Sequence, residues 1–139
     1  MWSLPGGKIE AGEESLAAAK RELWEETGLG VQSMEETKKD FHYNWCEDGP
    51  ICITDSIHKE EETIQFHYVI SQWFVEAKCN DKKQQVSRPP TLIASDDAAD
   101  AKWWDINQIK AGINRGEVTS GVEKVILRAE LMYDKGLLS

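Results

Sequence analysis

One stretch constrains this chain more than any other: residues 7 to 29, GKIEAGEESLAAAKRELWEETGL. Its second half predicts a helix from Glu14 to Thr27, because Leu16, Ala17, Ala18, Ala19 and Leu23 are strong helix formers and no Gly or Pro interrupts them. Gly28 supplies a left-handed stop. With Glu22 at zero on a helical wheel, Glu26 falls at about +40° and Glu25 at about −60°. Ala19, Leu23 and Leu16 fall at roughly +60°, +100° and +120°. Three carboxylates therefore share one face, beside the apolar stripe that packs on a core.

Adjacent carboxylates repel, and they lose hydration next to an apolar surface. They must protonate or be neutralised by a cation. Hard oxygen donors of this kind suit magnesium or manganese, which also take phosphate oxygens. The plainer alternative is a solvated acidic helix face in which Arg21 pairs with Glu25 across one turn. The entry PGGKIEAGE weighs toward a ligand, since its three glycines let backbone groups approach one closely.

The full pattern resembles the Nudix box, Gly-x5-Glu-x7-Arg-Glu-U-x-Glu-Glu-x-Gly-U with U aliphatic. Gly7, Glu13, Arg21, Glu22, Leu23, Glu25, Glu26, Gly28 and Leu29 fill every specified position. The resemblance implies an α/β/α sandwich, a mixed β-sheet held between the box helix and a C-terminal helix. It also implies Mg2+-dependent (Mn2+ as the alternative) hydrolysis of a nucleoside diphosphate linked to another group. In that reading Glu22, Glu25 and Glu26, with the Gly7 carbonyl, hold the metal. Glu22 serves as base or as ligand, Arg21 positions a glutamate, and Glu13 and Gly28 are structural. The run SDDAADAKWW resembles the small ADP-ribose pyrophosphatase-like members, whose acidic loop can supply one more carboxylate. Asp97 is the first candidate and Asp96 the second; turn and capping chemistry is their plainer role. ADP-ribose or a nucleoside diphosphate sugar is accordingly the first substrate. A modified nucleoside triphosphate is the second, and a binding-only domain the third.

The remaining composition sets limits. With 139 residues the expectation is a single domain. A net charge of −9 speaks against a nucleic acid polymer as partner and for divalent cations as the bridge to phosphates. Cys46, Cys52 and Cys79 lack metal-site spacing and read as reduced thiols of a cytoplasmic protein. No apolar run is long enough to span a membrane. Only Met1 to Gly6 precede the box, so Trp2, Leu4 and Pro5 read as the end of a strand whose earlier part is missing. An incomplete sheet exposes edges and makes a homodimer attractive.

Further along, residues 41–45 and 51–53 read as strands joined into a hairpin by the turn Glu47-Asp48-Gly49-Pro50. Residues 58–62 read as a charged connection. Residues 63–79 read as the best strand, with a bulge near Ser71-Gln72; His67 is a strand residue, and Glu76 a candidate metal ligand if its strand opens on the site. Residues 80–95 read as a loop whose Lys82, Lys83 and Arg88 make it either a surface insertion or a phosphate-contacting lid. Trp103 and Trp104 read as opposite faces of a strand, one in the core and the other bordering a nucleobase, with core for both as the plainer assignment, ahead of a short helix from Asp105. Thr119 to Lys135 reads as a packing helix with a Ser120–Glu123 capping box and a stop at Gly136.

Overall fold

The computed structural model describes residues 1–31, 40–80, 89–93 and 100–138. It is an α/β structure with three helices and four strands among those residues. In order these are α1 (Ser15–Thr27), β1 (Phe41–Trp45), β2 (Cys52–Glu60), β3 (Thr63–Gln72), β4 (Val75–Cys79), α2 (Ile106–Asn114) and α3 (Gly121–Asp134).

The strands form a long antiparallel ribbon, and here the expected 41–53 hairpin is corrected. β1 pairs with β4 and β2 with β3. Trp45 lies opposite Val75, Cys46 N donates to Phe74 O, Ile51 N donates to Gln72 O, and Cys52 lies opposite Gln72. The Glu47–Pro50 turn is thus an excursion within one side of the ribbon. The other side runs from 63 to 79 nearly as expected, broken at Trp73-Phe74 opposite that excursion. The bulge expected near Ser71-Gln72 falls instead at His58/Lys59.

The charged stretch 58–62 is corrected too, since His58, Lys59 and Glu60 belong to β2 and only Glu61-Glu62 turn. Glu61 takes a positive φ of 57°. Tight hairpins favour Gly, Asn or Asp there, so the sequence carried no ordinary turn signal.

Two apolar clusters form the core. Cys46, Ile51, Val125 and Leu138 make one, with Phe74 and Met132 packed on it. Ile109, Val118 and Val122 make the other, with Trp2 and Trp104 against it. Leu4 touches both. Trp2 forms a parallel bridge with Val118, through Trp2 N to Glu117 O and Thr119 N to Trp2 O. The residues read as the end of a missing strand are therefore tied to the segment that leads into α3. α1 meets the ribbon at Trp45, whose indole donates to Gly30 O, and α3 meets it at Phe74 and Glu76. These two contacts are consistent with the expected α/β/α arrangement. The ladders among the described residues are antiparallel, and the parallel Trp2–Val118 bridge stands apart from them, so the mixed sheet expected from the sequence is present here as antiparallel pairs and one isolated parallel bridge.

The tryptophans divide. Trp104 packs edge-to-face on Trp2 at 5.5 Å, while Trp103 is 44% exposed and donates its indole N–H to Pro90 O. Core for both is thus corrected, as is the strand: Asp105 already caps α2, in a reciprocal capping box with Gln108. The box expected at Ser120 is also corrected. Ser120 has helical backbone angles, which turn its hydroxyl away from the cap, and its side chain makes no capping bond. α3 ends just before Gly136, as read. Among the described residues no helix is long and apolar enough to cross a membrane.

Gly28 ends α1 at φ 74° and donates its N–H to Trp24 O. A Cβ there would lie 3.2 Å from the Ile93 Cβ, in a segment held by Ile93 N to Thr27 O. Gly28→Ala meets both the left-handed penalty and this contact, and should lower unfolding stability by about 1–2 kcal/mol in urea denaturation. An unchanged midpoint would show that the segment from Ile93 yields freely.

Candidate functional site

The box helix and its entry loop close on each other through side chains. Arg21 is the hub. Its Nε and Nη2 donate to the two Glu13 oxygens at 2.8 and 3.0 Å. Its Nη1 donates to Glu22 Oε1 at 2.8 Å and to Glu25 Oε2 at 3.2 Å. Nη2 also reaches Lys8 O at 3.0 Å. Arg21 therefore positions three glutamates, where one was expected. Glu13 also bonds within the entry loop, its Oε1 accepting from Glu10 N at 3.1 Å.

Glu26 makes the second tie, accepting from Gly6 N at 3.0 Å. Between the ties lies Gly7. A Cβ on Gly7 would collide with the Glu22 carboxylate, which would have to shift from its bond with Arg21 to make room. The structure thus brings Gly7, Glu13, Arg21, Glu22, Glu25 and Glu26 together. Asp96 and Asp97 lie outside the described residues, as do Lys82, Lys83 and Arg88. Glu76, the other acidic candidate, accepts from Tyr133 of α3. His67 pairs with Asp55 across the ribbon, a strand residue with a partner.

Burial on α1 explains why these carboxylates differ. Ala18 is buried at about −40° on the wheel, while Ala19 and Leu23 are half-buried on the other flank. Glu22 stands between them with only 16% of its side chain exposed, whereas Glu25 at the rim is 52% exposed. The wheel had placed apolar packing on one flank alone.

The electrostatics follow. Burial pushes the Glu26 carboxyl above its usual range, the charges of Glu22 and Glu25 add to this, and the Gly6 N–H opposes it. The Glu13 carboxyl goes the other way, held low by its hydrogen bond from Arg21 and then by Glu10 N–H. Hydrogen bonds to Glu13 and Glu22 keep the Arg21 guanidinium firmly protonated.

Among the described residues, no three His, Cys, Asp or Glu side chains are gathered tightly enough to hold a metal ion. The donor chemistry nonetheless suits a hard divalent cation. The α1 face offers carboxylate oxygens, and the partly desolvated Glu26 beside like charges is a group whose ionised form a cation would favour. The loop's backbone contacts through Gly6 N, Lys8 O and Glu10 N went unread in the sequence. Their one signal was the Gly-rich entry, which shows that backbone approaches but not which atom.

The raised Glu26 makes a prediction. A carboxyl whose folded pKa is raised stabilises the fold at low pH, and this contribution is lost as pH rises from the ordinary carboxylate range through its folded value. Glu13 has the opposite sign: its contribution is present at neutral pH and is lost as acid carries the solution through its lowered value. Glu26→Gln keeps an acceptor for Gly6 N and removes the charge. In metal-free buffer it should be more stable than wild type at pH 7, with the difference narrowing toward pH 5, as measured by urea unfolding. An equal difference at both pH values would mean that the Glu26 charge costs the fold nothing.

A family model described as "NUDIX domain" matches residues 1–126. The RNA pyrophosphohydrolase of Bartonella henselae is 28% identical over 109 residues, covering 78% of this chain and 58% of the relative. The RNA pyrophosphohydrolase of Roseobacter denitrificans is 53% identical over a shorter 34 residues, covering 24% of this chain and 21% of the relative. The mitochondrial ADP-ribose pyrophosphatase of Rattus norvegicus is 28% identical over 120 residues, covering 76% of this chain and 30% of the relative. The chain thus spans little more than half the length of the Bartonella relative. No solved structure gives a significant match.

Proposed function

Because the chain belongs to the NUDIX domain family, we propose that it hydrolyses a pyrophosphate bond in a nucleotide, with a divalent cation as cofactor. The observation that carries this reading is the gathering of the box glutamates, Glu13, Glu22 and Glu25 bonded by Arg21 and Glu26 by Gly6 N, against a glycine that leaves room for the Glu22 carboxylate. Glu22, Glu25 and Glu26, with the Gly7 carbonyl, would hold the cation, Mg2+ in first place and Mn2+ as the alternative. When bound, it supplies charge neutralisation for the diphosphate and acidification of the attacking water.

The chain's own residues do the rest. Glu22, half-buried and hydrogen-bonded, would accept the water's proton if it acts as base rather than as ligand. Water adds to phosphorus, the bridging P–O bond breaks, and the leaving phosphate takes the electron pair. Arg21 keeps the carboxylates apart and aimed. Glu13 and Gly28 fix the two ends of the helix.

The first substrate is ADP-ribose or a nucleoside diphosphate sugar, releasing a nucleoside monophosphate. The acidic run at 95–100 and the likeness to an ADP-ribose pyrophosphatase support it. The matches to RNA pyrophosphohydrolases favour a second reading, the triphosphate at an RNA 5′ end, against which the net charge of −9 weighs.

The test is phosphate-product release from ADP-ribose, nucleoside triphosphates and a 5′-triphosphorylated RNA, with magnesium and with chelator. Turnover of one class should appear with magnesium and vanish with chelator. Glu22→Gln should lower it by roughly 10²–10⁴-fold while the protein stays folded. Folded wild type that turns over nothing would leave a binding-only domain, and a Glu22→Gln variant at full rate would sink the catalytic assignment.

A further inference from the structure

The β2–β3 hairpin carries an exposed aromatic row that the proposed chemistry does not use. His58 stacks on Phe66 across the ribbon, with centroids 5.0 Å apart and planes 14° from parallel. Phe66 in turn meets Tyr68 on its own strand at 4.9 Å. Directly opposed residues share a face: His58 faces Phe66, and Ser56 faces Tyr68. Phe66 is 39% exposed and Tyr68 45% exposed, so ring surface lies open to water where an ordinary sheet face would be covered.

The position of the row says what fits it. The Lys8 ammonium lies 6.0 Å from the centre of the Tyr68 ring. The carbonyl of the same residue accepts from Arg21, and Lys8 directly follows Gly7. One residue therefore touches both the end of the aromatic row and the hub of the glutamate cluster. A ligand spanning the two would be flat and aromatic at one end and, through the cation of the proposed function, anionic at the other. A nucleotide has that form.

We propose that the His58–Phe66–Tyr68 row is the platform on which the nucleobase of the substrate stacks, entered from the Tyr68 end beside Lys8. This rests on the nucleotide reading given above. Stacking on ring faces is tolerant of the base. Recognition would then combine a cation–phosphate contact near Gly7 with ring stacking on the hairpin.

Binding separates this from turnover. AMP and inorganic pyrophosphate are titrated calorimetrically, in magnesium, into wild type and the variants Phe66→Leu, Tyr68→Leu and Tyr68→Phe, each checked by circular dichroism. The leucine variants should bind AMP roughly tenfold more weakly and pyrophosphate equally well, while Tyr68→Phe, which keeps the ring, stays near wild type. Unchanged AMP affinity in the leucine variants, or equal weakening of both ligands, overturns the proposal. So does a wild-type dimer that dissociates in the leucine variants with AMP affinity unchanged, which would assign the face to a second copy of the chain. Ring-dependent AMP binding by a protein that hydrolyses nothing supports the platform and overturns the hydrolase reading instead. Turnover without ring-dependent binding does the reverse.

Discussion

The Arg21 guanidinium is the interaction on which the site depends. Four glutamates, Glu13, Glu22, Glu25 and Glu26, lie in one small region, and a single cation touches three of them. A lysine ammonium could not do this, because it is a point charge with no fixed fork. Guanidinium offers five N–H groups in a plane, enough to grip Glu13 with two, to share one edge between Glu22 and Glu25, and still to bond Lys8 O. Neutralising the cluster and fastening the entry loop to α1 are therefore one act. Glu26, which Arg21 does not reach, takes the Gly6 N–H instead, and burial still pushes its carboxyl above the usual range.

The entry loop reaches the site from a fixed base. Trp2 is bridged to Val118, and Leu4 packs against both core clusters. Beyond Pro5, the chain meets Glu26 at Gly6 and the Glu22 carboxylate at Gly7. Core and carboxylates are thus separated by very few residues, and packing around α2 and α3 holds the loop against α1 although neither helix contributes to the cluster. The prominence of Leu4 follows from this: it joins both core clusters to the loop that bonds the glutamates.

What the sequence made legible was periodic, and what it hid was pairing. The box helix, its glycine stop and the shared face of Glu22, Glu25 and Glu26 follow from the rise and turn of a helix, which depend on nothing outside the segment. The Arg21–Glu13 grip needed more, since a loop residue meets a helix residue only through the fold; in the sequence Arg21 reads as positioning one glutamate and Glu13 as structural, without pairing the two. Strand pairing was read wrongly for a physical reason. Asp48-Gly49-Pro50 is a strong turn signal, but a turn can interrupt one side of a ribbon as well as reverse it. The true reversal at Glu61-Glu62 uses a glutamate at positive φ, where composition gives no cue. With the reversal unseen, His58 and Glu60 read as loop rather than strand.

That hidden reversal also decides where the ribbon's aromatic residues go. Once β2 and β3 are aligned across Glu61-Glu62, His58 falls opposite Phe66 and the row of rings appears; in any loop reading of 58–62 it cannot form. Burying such a row in the core would have required an opposing layer, and among the described residues the contacts of α3 with the ribbon gather near its other end, at Cys46, Ile51, Cys52, Phe74 and Glu76. The rings therefore stay at the surface, while the helix carboxylates stay only half-covered beside an apolar flank. Both features cost stability in the same way: each leaves a group in surroundings that suit a bound molecule better than water. Lys8 stands where the two meet, its carbonyl on Arg21 and its ammonium over Tyr68, and that contact links a helix-borne charge cluster to a strand-borne aromatic surface.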